Sequence, residues 1–220
     1  MARGLFVTGT DTGVGKTVVS AALLLRYRSR FALRYWKPIQ TGIEQDDDTA
    51  DVRRLATCEP HEVREDGVRL RRPVSPHLAA RLANVRIDLD AIDTLGPPRA
   101  SAGWVVEGAG GVLVPINEAA LMIDLMTRLD LPVVVVARST LGTINHTLLT
   151  LEALRSRGLR VAGVVMVGEP DVDNRVAIES YGRTSVLAEL PRLNPLTPAS
   201  LEAWATASLD PGDHLMGLLE

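Results

Sequence analysis

The chain has 220 residues, of which 46% are hydrophobic and 23% charged, and its formal net charge is −3. This profile fits one soluble α/β domain, and without a basic stripe nucleic acid finds no electrostatic footing. The apolar runs are far shorter than the ~20 residues a bilayer crossing needs. Residues 1–3 lead into a strand with no signal-peptide organisation, and the lone Cys58 leaves no partner for a disulfide and no thiolate metal centre. A cytoplasmic protein is expected, with no membrane or nucleic-acid partner and with Cys58 serving packing.

The first expected strand covers 5–8 and the first helix 16–28. Between them runs Gly9-Thr10-Asp11-Thr12-Gly13-Val14-Gly15-Lys16-Thr17. Strand, glycine loop and helix are the setting a phosphate loop requires. Gly9 stands one residue earlier than the strict spacing, yet every physical element is kept. Backbone N–H groups and the helix N-terminus cradle phosphate oxygens, Lys16 neutralises the outer phosphates, and the Thr17 hydroxyl ligates magnesium. Gly13, Val14, Gly15, Lys16, Thr17 and Val18 are the expected nucleotide contacts.

A second strand, 32–37, ends in Lys37 and runs into Pro38-Ile39-Gln40-Thr41-Gly42. Of the 24 Lys and Arg residues only Lys16 and Lys37 are lysine. An ammonium is a compact, mobile point charge where guanidinium is a flat fork. Two ammonium groups on one strand rim would make a cationic pocket for anions. The acidic run Asp46-Asp47-Asp48 with Asp51 precedes and opens a helix over 48–58. Most of it is expected to cap that helix, while Asp48, or else Asp51, reaches magnesium. The charged, irregular stretch 59–72 reads as a surface connection. Helices over 76–83 and 89–95 lead to a strand over 104–107 that ends in Glu107, placed as a strand-end acid beside the metal. Gly108, Gly110 and Gly111 follow and allow close approach to the backbone. The remaining pattern alternates helices over 120–129, 143–157, 172–181 and 198–207 with strands over 132–137, 161–167 and 186–190. Continuously apolar strands alternating with helices predict a single doubly wound α/β domain of the P-loop NTPase-like kind. Its mostly parallel sheet is flanked by helices, and ligands sit at the strands' carboxyl ends.

Five segments in this order resemble dethiobiotin synthetases: Val7 to Thr17; Lys37-Pro38-Ile39-Gln40-Thr41-Gly42; Pro73-Val74-Ser75-Pro76-His77; Val106-Glu107-Gly108-Ala109-Gly110-Gly111; and Leu141-Gly142-Thr143-Ile144-Asn145-His146. The resemblance implies a magnesium-dependent ligase of biotin synthesis. Such an enzyme uses ATP to close a ureido ring on diaminononanoate and CO2, by way of a carbamate and its carbamic-phosphoric anhydride. It implies catalytic Lys37 and Lys16, and metal ligands Thr17, Asp48 and Glu107. It implies diamine contacts at Thr12, Lys37, Thr41 and Gly110, and nucleotide contacts continuing to Glu107, Gly108, Gly110, Val167, Gly168, Pro191, Arg192 and Leu193. It also implies a homodimer in which Leu141, Gly142 and Asn145 bind the substrate's carboxylate from the partner subunit. His77 and His146 are read as packing or capping residues.

The chain departs from the family's pattern at Val167-Gly168, which replaces an adenine-reading asparagine, so ATP or another triphosphate such as CTP is expected. Gly13 lacks the acidic side chain some members carry. A regulatory ATPase of the septum-site or chromosome-partitioning type is the main rival, but the segment Gly9-Thr10-Asp11 lacks that group's early lysine. A purely nucleotide-sensing domain would leave Lys37 and Glu107 without a role. A glutamine-dependent amidating ligase would need a further domain.

Overall fold

The structure, a computed structural model, describes residues 3–96 and 103–219. Residues 1–2, part of the start read as lacking a leader, lie outside the described residues.

The phosphate-loop strand β1 (Gly4–Gly9) is followed by α1 (Lys16–Tyr27), β2 (Leu33–Trp36), β3 (Ile39–Thr41) and α2 (Asp48–Leu55). A single 3-10 turn (Pro60–Glu62) precedes β4 (Val63–Arg64) and β5 (Val68–Leu70), then α3 (Pro76–Leu82) and α4 (Leu89–Thr94). The second half alternates regularly: β6 (Gly103–Gly111), α5 (Met122–Leu129), β7 (Val133–Arg138), α6 (Thr143–Ser156), β8 (Val161–Val167), α7 (Val172–Gly182) and β9 (Val186–Leu190). The helices α8 (Pro198–Ser208) and α9 (Met216–Leu219) follow.

Seven strands form one sheet in the order β4-β2-β6-β1-β7-β8-β9, and each pairing between these strands is parallel. Parallel strands with helices on both faces bury most of their side chains, which is why the strands are apolar without alternation. The period of two shows instead in which face each residue joins. Val133 and Val135 pack with α3 to α7, whereas Val134 and Val136 pack with α1, α2, α8 and α9. Helix α1 is the most enclosed: Val19, Ala21, Ala22, Leu23 and Leu24 are at most 1% exposed. Each buried Leu or Val there contributes about 1.5–3 kcal/mol. Between β1 and β2 and again between β6 and β7 the chain crosses a neighbouring strand, so the direction of winding reverses around β1. Doubly wound sheets open a ligand crevice at that position.

Two expectations change. The stretch 59–72 is not a plain surface connection. It supplies β4, the edge strand beside β2, and β5, which pairs in parallel with β3 as a separate two-stranded sheet. Strands of two and three residues are too short to show periodicity in sequence. The strand over 104–107 runs on to Gly111, so Gly108, Gly110 and Gly111 belong to β6 and do not follow it.

Candidate active site

A cleft of about 620 Å³ opens at the carboxyl ends of β1, β2 and β6. Most of the residues singled out in sequence meet there: Thr12, Gly13, Gly15, Lys16, Thr17, Val18, Lys37, Thr41, Asp48, Asp51, Glu107 and Gly110 line it. Gly15 takes φ 99° as it opens α1, which favours glycine. Gly110 takes φ 68°, and a β-carbon there would come within 2.7 Å of Val114. Glycine thus lets the end of β6 turn closely against Val114.

Four groups converge on Glu107, which is fully buried. Its Oε2 accepts hydrogen bonds from Ser20 Oγ at 2.9 Å and Tyr35 OH at 3.0 Å. Its Oε1 lies 2.7 Å from Lys37 Nζ and 3.2 Å from Thr17 Oγ1. The Lys37 ammonium also reaches Asp48 Oδ2 at 2.6 Å, and Thr17 Oγ1 donates to Asp48 Oδ1 at 2.5 Å. Burial works against the charge on Lys37, but Glu107 and Asp48 outweigh it and hold the ammonium above its usual pKa. Lys16 donates to the Asp11 carbonyl at 3.0 Å. Burial, with Lys37 nearby, lowers its pKa. Burial and the Glu107 charge push the Tyr35 phenol well up, so it stays a neutral donor.

Asp48, not Asp51, reaches Thr17 and Lys37, because Asp51 pairs with Arg54 one turn along α2 at 2.8 Å. Ser20 and Tyr35 were not anticipated, although the spacing carries them: Ser20 lies three residues after Thr17 on α1, and Tyr35 two before Lys37 along β2.

Other expected contacts lie outside the cleft. The Val14 side chain packs in the core. Gly108 lies within β6, where a β-carbon would meet the Phe6 ring of neighbouring β1 at 2.9 Å. Val167 leans on the phosphate loop, 3.1 Å from where a Gly15 β-carbon would be, while Gly168 adjoins Ser139. Pro191, Arg192 and Leu193 trail from β9 without reaching the cleft, and Leu196 lines it in their stead. Leu141, Gly142 and Asn145 stand exposed at the start of α6, with Leu141 wholly uncovered. His77 lines a second, smaller cavity, and His146 is exposed. Burial pushes the Cys58 thiol up to about 11, which suits a packing role.

Strand, glycine loop, helix and a buried acid on the neighbouring strand together define a P-loop nucleotide-binding domain. The AAA domain family model matches residues 3–200. The ATP-dependent dethiobiotin synthetase BioD of Paramagnetospirillum magneticum is 54% identical over 199 residues, covering 90% of this chain and 93% of the relative. The BioD of Rhodopseudomonas palustris strain TIE-1 is 42% identical over 98% of both chains. The chain belongs to the dethiobiotin synthetase family. It is also 51% identical to the biotin biosynthesis bifunctional protein BioCD of Bordetella avium, of whose length it spans 42%. Among solved structures a ParA family ATPase from Chlorobium tepidum superposes with a TM-score of 0.58 at 12% identity, covering 100% of this chain and 98% of that one. The MinC:MinD complex of Aquifex aeolicus gives 0.59 at 16%, covering 98% and 96%. These two share the fold.

Proposed function

We propose that the cleft closes the ureido ring of dethiobiotin from diaminononanoate and CO2 at the expense of ATP. The observation that carries this reading is the meeting of Lys16, Lys37, Thr17, Asp48 and Glu107 around one cleft. Carbamate and γ-phosphate are both anions, and their approach needs positive charge held in place. The carbamate oxygen takes the γ-phosphoryl group and ADP leaves. The second amine then attacks the carbamoyl carbon and phosphate departs. Lys16 and the N–H groups of the loop grip the outer phosphates. Lys37 faces the carbamate and the γ-phosphate from the end of β2. Thr12, Thr41 and Gly110 line the diamine's path. Val167 and Gly168 offer no side-chain amide to the base, so CTP is a candidate alongside ATP.

Thr17, Asp48 and Glu107 would hold magnesium. Their hard oxygens fit it. Magnesium when bound neutralises phosphate charge and orders phosphate oxygens.

The start of α6 lies away from its own chain's cleft. Leu149 on α6 and Val172, Val176 and Tyr181 on α7 are large exposed apolar side chains. These exposed side chains support the reading that a second copy covers this face, with Leu141, Gly142 and Asn145 binding a carboxylate in the neighbour's cleft, and hence a homodimer. The reading is completed by a single domain acting in the cytoplasm, with no nucleic-acid or membrane partner. Among the described residues no helix is long and apolar enough to cross a membrane.

The decisive experiment follows phosphate release with ATP, CTP and GTP in turn. Release is expected only when both diamine and bicarbonate are present. Equal release with nucleotide alone would favour a switch ATPase.

A further inference from the structure

We infer that Gln40 and Arg69 are positioning residues that aim Asp48 at the phosphate loop, and that holding them is the task of the small β3–β5 sheet. The inference rests on the reading of Asp48 as a magnesium ligand.

Gln40 on β3 and Arg69 on β5 are register partners in that parallel pair. Register partners in a parallel pair project to the same face. Both side chains reach Asp47. Arg69 Nη2 lies 2.6 Å from Asp47 Oδ2, and Gln40 Nε2 donates to Asp47 Oδ1 at 3.3 Å and to the Asp46 carbonyl at 3.2 Å. Gln40 Oε1 in turn accepts from Thr49 Oγ1 at 3.1 Å. The Gln40 side chain is fully buried, so its amide has polar partners on both ends and no solvent. Asp47 is the N-cap of α2, accepting from Ala50 N at 3.1 Å. Residues 46, 47 and 49 are thereby tied to the small sheet, and Asp48 between them has a set direction. Its carboxylate meets Thr17 and Lys37. The glutamine and arginine touch neither cleft nor reacting atoms; they act through Asp48.

The test uses the full chain with Gln40→Leu, Arg69→Ala and Arg69→Lys. Protein carrying 15N only in its lysine side chains has two Nζ signals, from Lys16 and Lys37. Lys37 Nζ touches Asp48 directly and therefore reports where that carboxylate points. In Gln40→Leu and Arg69→Ala the Lys37 signal is expected to move and the Lys16 signal to stay. Magnesium affinity, read by calorimetry as the metal's enhancement of nucleotide binding, is expected to fall about 10-fold or more. Metal-free nucleotide affinity should be unchanged, and Arg69→Lys should recover most of the loss. A Lys37 signal unmoved in both variants overturns the inference. So does an equal loss of metal-free and metal-loaded binding, which marks a packing role. If wild-type protein shows no magnesium enhancement, the metal reading of the cleft fails, while a moved Lys37 signal still supports the bracket.

Discussion

At Lys37 an ammonium with 7% of its residue exposed lies 2.6 Å from Asp48 and 2.7 Å from Glu107. Removing one member of such a buried set leaves uncompensated charge, which costs more than the pair itself contributes. Lys37→Gln should therefore show two effects. Turnover is expected to fall about 100- to 1000-fold, with nucleotide affinity nearly unchanged. The melting temperature should fall in metal-free buffer, and magnesium should raise it more than in wild type because the cation meets two unbalanced carboxylates. An equal magnesium effect in both proteins would contradict the counter-charge role. Lys16, Thr17 and Lys37 were legible as residues of one cleft because each follows a loop or strand end, and Glu107 because it leads into the glycines of β6. The choice between Asp48 and Asp51 was not, because acids at a helix start cap as readily as they ligate. In the structure Asp48 meets Thr17 and Lys37, while Asp51 pairs with Arg54.

Helix α1 carries the phosphate loop's lysine at one end and is clasped by the C-terminal segment at the other. Tyr27 OH donates to Asp210 Oδ2 at 2.6 Å, and the backbone N–H groups of His214 and Leu215 donate to the same carboxylate at 3.0 and 2.8 Å. Arg26 adds a bond to the Leu209 carbonyl at 3.2 Å and an ion pair with Asp213 at 3.1 Å. Burial alone would push the Asp210 carboxyl up, but the hydrogen bonds from Tyr27, Leu215 and His214 outweigh it and hold it below the usual range. A lowered carboxyl pKa stabilises the fold above the unfolded value, and that contribution is lost as pH falls through the folded value. Asp210→Asn should cost about 1–3 kcal/mol at neutral pH. Denaturant unfolding should show its deficit against wild type narrowing toward pH 3; a constant deficit would refute the charged role. None of this clasp was legible in sequence, since a Tyr and an Asp 183 positions apart carry no local pattern.

On the scale of the whole molecule, the alternation of apolar strands with helices was enough to read a doubly wound parallel sheet and the rim that carries the site. The β3–β5 sheet was not readable, because its pairing is long-range and its strands are too short for a periodic signal. Fold alone does not separate this chain from partitioning and septum-site ATPases, which superpose well at 12–16% identity. The likeness in sequence to dethiobiotin synthetases does. If the exposed face of α6 and α7 is covered by a second copy, light scattering should give twice the 23.7 kDa of one chain. Asn145→Ala should then raise the diamine's KM and leave that mass unchanged; an unaltered KM would remove the partner-supplied contact. The distribution of lysine has a practical outcome as well. Both lysines lie in the cleft and are nearly inaccessible, and the other basic side chains are arginine. Acylating reagents that decorate most proteins at random would find almost no side-chain amine on the outer surface of the folded chain. Any slow uptake of label beyond an α-amino group would measure how often the cleft itself opens.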